Sequence, residues 1–536
     1  MKTLFYNGSI HTMNRQQPQV DAVVIEGNKI LYAGSRINAE KFMVEGGEYV
    51  DLEGKMLLPG FIEGHCHPSL CSLARVGIPM DCDMTIPEML ESIKTFIEEH
   101  PEKDTYIGLG YPEWAFDEKG PSRFDIDAIC SDKPVMILGS GAHEAWFNTK
   151  AMEMAGIDKN TPDPIPGFHY FTRDEEGTPT GHCLEMSTEG MFFAKIPFLV
   201  KEEFQREFIS QFEEYAAAGV TTICDCGVHD FMEDMTYPFY EKYFAGEDYL
   251  QRLVGSGFVA EADQVDHILE QTVARREKNN DDIYKVSIYK IILDGTVESW
   301  TAAMLEPYLD GSNADPLFEG EKVEEVFLKA AEAGLDINCH AIGDKAIREA
   351  LRGAKAVREA GYDDCRITTA HSEHIKPSDR YLYRKYNVTA NTTPVWHYGT
   401  LENDDIVGNE RYNEEFRVKE LIDIGCRVAI GTDRPVDEYG FEPLKNIQCG
   451  ITRKLYGRPD GIVMDGEKMS IQDCLEAYTI NNAYAHHMED KIGSLEAGKY
   501  ADMVILEKDI FEVDPEEIYQ IPVYMTIMNG KVTYRK

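Results

Sequence analysis

No stretch of this chain approaches the roughly 18 consecutive apolar residues of a membrane-spanning helix. Its opening residues, Met1-Lys2-Thr3-Leu4-Phe5-Tyr6-Asn7-Gly8, lack the apolar core of a secretion signal. The twelve cysteines are scattered and include no Cys-x-x-Cys pair, which argues against a zinc ribbon or a disulfide scaffold and for reduced thiols in a cytoplasmic protein. Positive charge is scarce as well. With 53 Lys and Arg against 95 Asp and Glu, the net charge is −42, whereas a nucleic-acid groove needs clustered cations. Nucleic acid and membrane are therefore set aside as partners, leaving a small-molecule substrate. What remains is an ordinary globular composition, 43% hydrophobic and 28% charged, in a chain long enough for about two to four domains.

Both ends read as short strands with turns. Leu4-Phe5-Tyr6 precedes Asn7-Gly8, Ala22-Val23-Val24-Ile25 precedes Gly27-Asn28, and Val523-Tyr524-Met525-Thr526-Ile527-Met528 precedes Asn529-Gly530. These dipeptides tolerate the positive φ of tight turns. Neither end has enough strand to bury a core alone, so residues 1–56 and 488–536 are expected to pair into one split β-sandwich domain. The stretch 57–487 alternates helix-like segments, such as Val323–Ala331, with compact apolar runs, such as Leu335-Asp336-Ile337-Asn338-Cys339-His340. Eight such runs end near His65, Cys226, Phe258, Leu293, His340, His371, Thr392 and Asp433. Eight is the number a (β/α)8 TIM-like barrel requires, and its active site lies at the strands' C-terminal ends. About 150 residues separate the first two runs, far too many for one connection. Roughly residues 70–205 are expected to form an inserted, lid-like subdomain over the barrel mouth.

Several of these strand ends carry a residue able to bind metal. His65 and His67, two apart in an extended run, point to the same side and can reach one ion. Lys290 interrupts Val286-Ser287-Ile288-Tyr289-Lys290-Ile291-Ile292-Leu293, which is apolar on both faces. A buried ammonium there must lose its charge or find a partner. Reaction with CO2 gives a carbamate able to bridge two ions; the alternative is an ion pair with a neighbour such as Asp294. His340, His371 and Asp433 close three further runs, and Asp433 can both touch metal and take a proton from water.

On these residues the chain resembles the amidohydrolase superfamily, in particular its N-substituted formamide deformylase-like branch. The likeness runs through Leu58-Pro59-Gly60-Phe61, Lys290-x-x-x-Asp294-Gly295, Thr301-Ala302 with Pro307-Tyr308, and His340-Ala341-Ile342-Gly343-Asp344. It continues through Ala370-His371-Ser372-Glu373, Gly431-Thr432-Asp433-x-Pro435, Tyr478-Thr479-Ile480-Asn481 and Ile492-Gly493-Ser494-Leu495. Glu63 stands where the branch usually carries Asp, a departure expected to touch only structural support. The resemblance implies His65, His67 and Asp433 on the more buried metal, His340 and His371 on a second, and carboxylated Lys290 between them. One or two divalent ions are implied; zinc suits nitrogen-rich ligation, with manganese or iron as alternatives. A metal-activated hydroxide would attack an amide-type carbonyl, with the oxyanion also held by His371 or a neighbour and Asp433 as general base and acid. A homodimer is a further implication of the branch.

Around this set, His143 and Trp146, in Gly141-Ala142-His143-Glu144-Ala145-Trp146, resemble a His-x-x-Trp segment of the branch and become substrate-binding candidates. Trp300 is another, with Trp114, Tyr308 and Trp396 as further aromatic walls. Arg434 follows Asp433 and can hold a substrate carboxylate, unless Asp437 or Glu438 pairs with it. His229, His374 and His397 also lie just past strand ends. The leading expectation is hydrolysis of a non-peptide carbon–nitrogen bond, of amide or N-substituted formamide type. A lyase or isomerase on the same barrel, or an inactive scaffold, is the alternative.

Overall fold

The computed structural model describes residues 2–536 except 44–46, 82, 118, 398–404, 437–439 and 458–463. Eight parallel strands form one sheet in chain order: β1 (Phe61–Cys66), β2 (Val220–Asp225), β3 (Arg252–Val259), β4 (Tyr284–Ile292), β5 (Asp336–Ala341), β6 (Ile367–His371), β7 (Val388–Thr392) and β8 (Arg427–Ile430). Almost every strand residue is buried, as expected of strands covered on both faces. Helices separate successive strands, among them Asp230–Phe244 after β2, Val265–Lys278 after β3 and Glu321–Glu332 after β4. The last shows why the sequence makes them: Val323, Val326, Phe327, Ala330 and Ala331 fall on one face and are buried.

The sheet closes on itself where β8 meets β1. Asp433 N donates to His65 O at 2.7 Å, and His67 N donates to Arg434 O at 2.8 Å. Asn482 Nδ2 spans the seam below, donating to Ile62 O and Ile430 O at 2.8 Å each. Gly431 is required at this point, because a Cβ there would lie 2.4 Å from His65 N. The result is a barrel whose strand ends converge on one mouth.

Strands from the two chain ends share a second eight-stranded sheet. Its link is Met56–Pro59 paired antiparallel with Met503–Leu506, and Phe5, Val23, Leu57, Met503, Ile505 and Ile527 pack together on it. Between β1 and β2 lies a third sheet of five strands, in the order Tyr170–Arg173, Pro179–Leu184, Glu144–Phe147, Val135–Gly139, Tyr106–Tyr111. Along Val135–Gly139 the faces alternate. Val135 and Ile137 join the insert's own core with Trp146 and Tyr111, while Met136 and Leu138 join the large core that includes Leu70, Phe204 and Phe208. Among the described residues, no helix is long and apolar enough to cross a membrane. The eleven described cysteines are all free thiols.

Candidate metal centre

His65, Lys290, His340 and His371 are carried by β1, β4, β5 and β6, while His67 lies one residue past β1 and Asp433 three past β8. His371 and Asp433 both have left-handed backbone, at φ 70° and 60°. Non-glycine residues hold such angles at a cost of about 1–3 kcal/mol, and only where the surroundings over-determine them.

The side chains meet around the Asp433 carboxylate. His67 Nε2 lies 3.1 Å and His65 Nε2 3.3 Å from Oδ1, and His371 Nδ1 lies 3.9 Å from Oδ2. His65, His371 and Asp433 each offer a ligand atom within 4.8 Å of the other two. His67 Nδ1 sits 3.2 Å from the Gly227 carbonyl, which only accepts, so that nitrogen carries the proton and Nε2 carries a lone pair. A lone pair facing a carboxylate oxygen at 3.1 Å is repulsive unless a cation or a proton lies between them. Asp433 Oδ1, His65 Nδ1 and His371 Nδ1 are moreover buried without a hydrogen-bond partner. This donor set fits a divalent ion.

His340 completes the pattern. Its Nε2 lies 3.2 Å from the Gly295 carbonyl, which leaves Nδ1 as the lone-pair nitrogen, and its ring centroid is 4.5 Å from that of His371. Burial pushes both His340 and His371 well below the usual imidazole range, keeping them neutral. Asp433 is also buried, yet the charge of His65, whose own pKa rises to about 9, holds it well below the usual carboxylate range. Lys290 is buried too, and burial lowers its pKa toward the neutral amine. Its Nζ lies 3.4 Å from His65 Nε2 and donates to Asn338 Oδ1 at 3.3 Å. Asp294 is otherwise engaged: it accepts from the Ala303, Ile342 and Gly343 amides at 2.9, 3.1 and 2.8 Å. Glu63 Oε1 takes the amides of His65 and Thr432 at 3.0 and 2.8 Å, a structural tie across the seam.

The substrate-side candidates scatter more. His143 reaches the centre, its ring centroid 5.3 Å from that of His340. Trp396 stacks on His371 at 5.5 Å, and Trp300, 38% exposed, lies in the loop after β4 against Tyr308. Trp146 instead lies in the insert's core, fully buried with its Nε1 donating to Ser122 O at 2.8 Å, and Trp114 is exposed. The Arg434 guanidinium, suggested for a substrate carboxylate, is taken up by Glu214 at 2.5 Å and by the face of Phe441; Asp437 and Glu438 lie outside the described residues. His374 pairs with Glu415, His397 with Thr392, and His229 packs on Phe231 and Phe258.

Three neighbours of the centre escape the sequence patterns. Cys226 accepts from Asn338 Nδ2 at 3.7 Å and lies 3.5 Å from the Cys224 sulfur. Asn338 stands two residues before His340 in β5, and that period-2 spacing of polar residues in an apolar strand is a signal that finds it. Glu185, which holds His143, lies 42 residues further along the chain and has no such signal.

A profile of the amidohydrolase family matches residues 48–534. The chain is 30% identical over 440 residues to the exoenzymes regulatory protein AepA of Pectobacterium carotovorum subsp. carotovorum, covering 80% of this chain and 93% of AepA. It is 23% identical over 555 residues to the N-substituted formamide deformylase of Arthrobacter pascens, covering 99% and 98% of the two chains. Among solved structures, an uncharacterized metal-dependent hydrolase from Pyrococcus horikoshii OT3 has the same fold, with a TM-score of 0.74 and 22% identity, covering 96% of this chain and 99% of that one.

Proposed function

Because the chain belongs to the amidohydrolase family, we propose that it hydrolyses a carbon–nitrogen bond other than a peptide bond in a small molecule, of amide or N-substituted formamide type. The observation that carries this is the convergence of unpartnered imidazole and carboxylate lone pairs around Asp433. The full-length likeness to a formamide deformylase supports the choice of bond.

His65, His67 and Asp433 would hold one zinc ion and His340 with His371 a second, with Lys290, carboxylated, between them. Burial favours the neutral amine of Lys290, the form that reacts with CO2. A bound divalent ion supplies Lewis acidity and brings the pKa of water down to about 7. The chain's own residues do the rest. Asp433, kept ionised by the charge of His65, takes the proton of the attacking water and returns it to the leaving nitrogen. His371, held flat by Trp396, borders the carbonyl under attack. Trp300 and Trp396 offer apolar walls for a small substrate, and the five-stranded insert screens the centre from bulk water.

Plasma mass spectrometry of protein purified without chelator, followed by a screen of amides and N-substituted formamides for amine release, tests this proposal. One or two equivalents of metal with turnover are expected. Near-zero metal that zinc and bicarbonate do not restore, or no turnover by the loaded protein, overturns it.

A further inference from the structure

Lys290 and Asn338 stand directly opposite each other on the parallel strands β4 and β5. Their chain neighbours Ile291 and Cys339 join the core that holds Val326 and Phe327 of the helix Glu321–Glu332. Side chains alternate along a strand, so Lys290 and Asn338 turn the other way, into the barrel. Both are buried there. Lys290 Nζ donates to Asn338 Oδ1 at 3.3 Å and lies 3.4 Å from His65 Nε2, at the edge of the metal-site cluster.

The chemistry of the pair fixes which way the Asn338 amide points. An ammonium and a carbamate N–H both donate and neither accepts, so the amide oxygen is the end that faces Lys290 whatever the charge of the lysine. The Nδ2 end is then turned to the Cys226 sulfur, to which it donates at 3.7 Å. That sulfur lies 3.5 Å from the sulfur of Cys224 in β2. Asn338 is thus held at one end and offers a fixed acceptor at the other.

Carboxylation gives that acceptor a particular meaning. The lone pair of Nζ forms a bond to the carbon of CO2, one N–H proton leaves to water, and a single N–H remains. The nitrogen becomes planar, bonded to Cε, that hydrogen and the carboxyl carbon. With Cε set by the strand and the hydrogen taken by Asn338 Oδ1, one direction is left for the carboxylate. Resting on the carboxylated lysine of the hydrolase proposal above, we propose that Asn338 is a positioning residue. Its side-chain oxygen takes the single N–H of carboxylated Lys290 and so aims the carboxylate at the metal-site histidines. Groups that orient a metal ligand from behind typically contribute about 10–100-fold in metal affinity or activity.

The test uses the full chain loaded with zinc and carbon-13-labelled bicarbonate, as wild type, Asn338→Leu, Asn338→Ala, Lys290→Ala and Lys290→Ala/Asn338→Leu. Two readouts are taken: the carbamate carbonyl resonance, assigned by its absence from Lys290→Ala, and zinc affinity against a competing chelator. Asn338→Leu is expected to weaken or shift the resonance and to lose about 10–100-fold in zinc affinity, with an unchanged circular dichroism spectrum. Because Asn338 acts through Lys290, adding Asn338→Leu to Lys290→Ala should cost nothing further. A wild-type resonance and affinity in the Asn338 variants overturns the proposal, as do losses that multiply in the double variant. Asn338→Ala answers the same question if Asn338→Leu does not fold. A wild-type chain without the resonance overturns the carbamate, and this role with it. A wild-type resonance without turnover of any amide counts against the hydrolase proposal alone, and the two readouts still decide the role of Asn338.

Discussion

Two imidazole nitrogens at 3.1 and 3.3 Å from one carboxylate oxygen make Asp433 the residue on which the proposed chemistry turns. Asp433→Asn removes the group that accepts a proton and keeps the shape, so kcat should fall by about 10²–10⁴-fold with an unchanged circular dichroism spectrum. Near-normal turnover would remove Asp433 as the base. Lys290→Ala should lose metal and activity together, with partial rescue by acetate standing in for the carbamate. A variant that keeps two equivalents of metal and shows no rescue would count against carboxylation. The six ligand candidates were legible because each interrupts or ends an apolar run with a group that apolar surroundings do not explain. Glu185 was not, since a lone glutamate on a chain with 95 acidic residues carries no information until its partner is known.

At the scale of elements, the insert shares packing with the barrel. Met136, Leu138 and Phe147 share one continuous core with Phe208 and Phe212, in the helix that leads into β2, and with Ile223 of β2. Inside the insert, Glu113 accepts from Ser140 Oγ and Gly141 N at 2.5 and 2.8 Å. Burial and the charge of Glu144 push its pKa from 4.5 up to about 8. The folded chain therefore keeps a proton that the unfolded chain releases near 4.5, and stability falls as pH rises through this window and levels off above about 8. Glu113→Gln should flatten that fall. Urea midpoints between pH 5 and 8 measure it, and a slope equal to the wild type's would mean that Glu113 does not titrate in this way.

Across the whole molecule, the two chain ends and the barrel are joined by a buried ion pair. Arg252, at the start of β3, donates through Nε and Nη2 to both oxygens of Asp502 at 2.7 and 3.1 Å, and through Nη1 to Asp282 O at 2.7 Å. Asp502 immediately precedes the strand that pairs with Met56–Pro59. Asp502→Asn leaves a buried guanidinium without its counter-charge and should cost about 3–5 kcal/mol. Denaturant unfolding should show this as a lower midpoint. A change under about 1 kcal/mol would mean that the pair is not what fastens the terminal sheet.

The alternation of apolar runs with amphipathic helices determined the eight-stranded barrel, and polar residues at the ends of those runs marked the metal-site candidates, because burial preference and period are local properties of the chain. Which tryptophans and arginines face the site was left to tertiary structure. Trp146 and Arg434 sit beside His143 and Asp433 in sequence, yet they turn to the insert core and to Glu214. Successive side chains leave the backbone in different directions, and only the packing of distant elements decides what each direction meets. The same holds for Glu185, whose partner His143 stands 42 residues away in the chain.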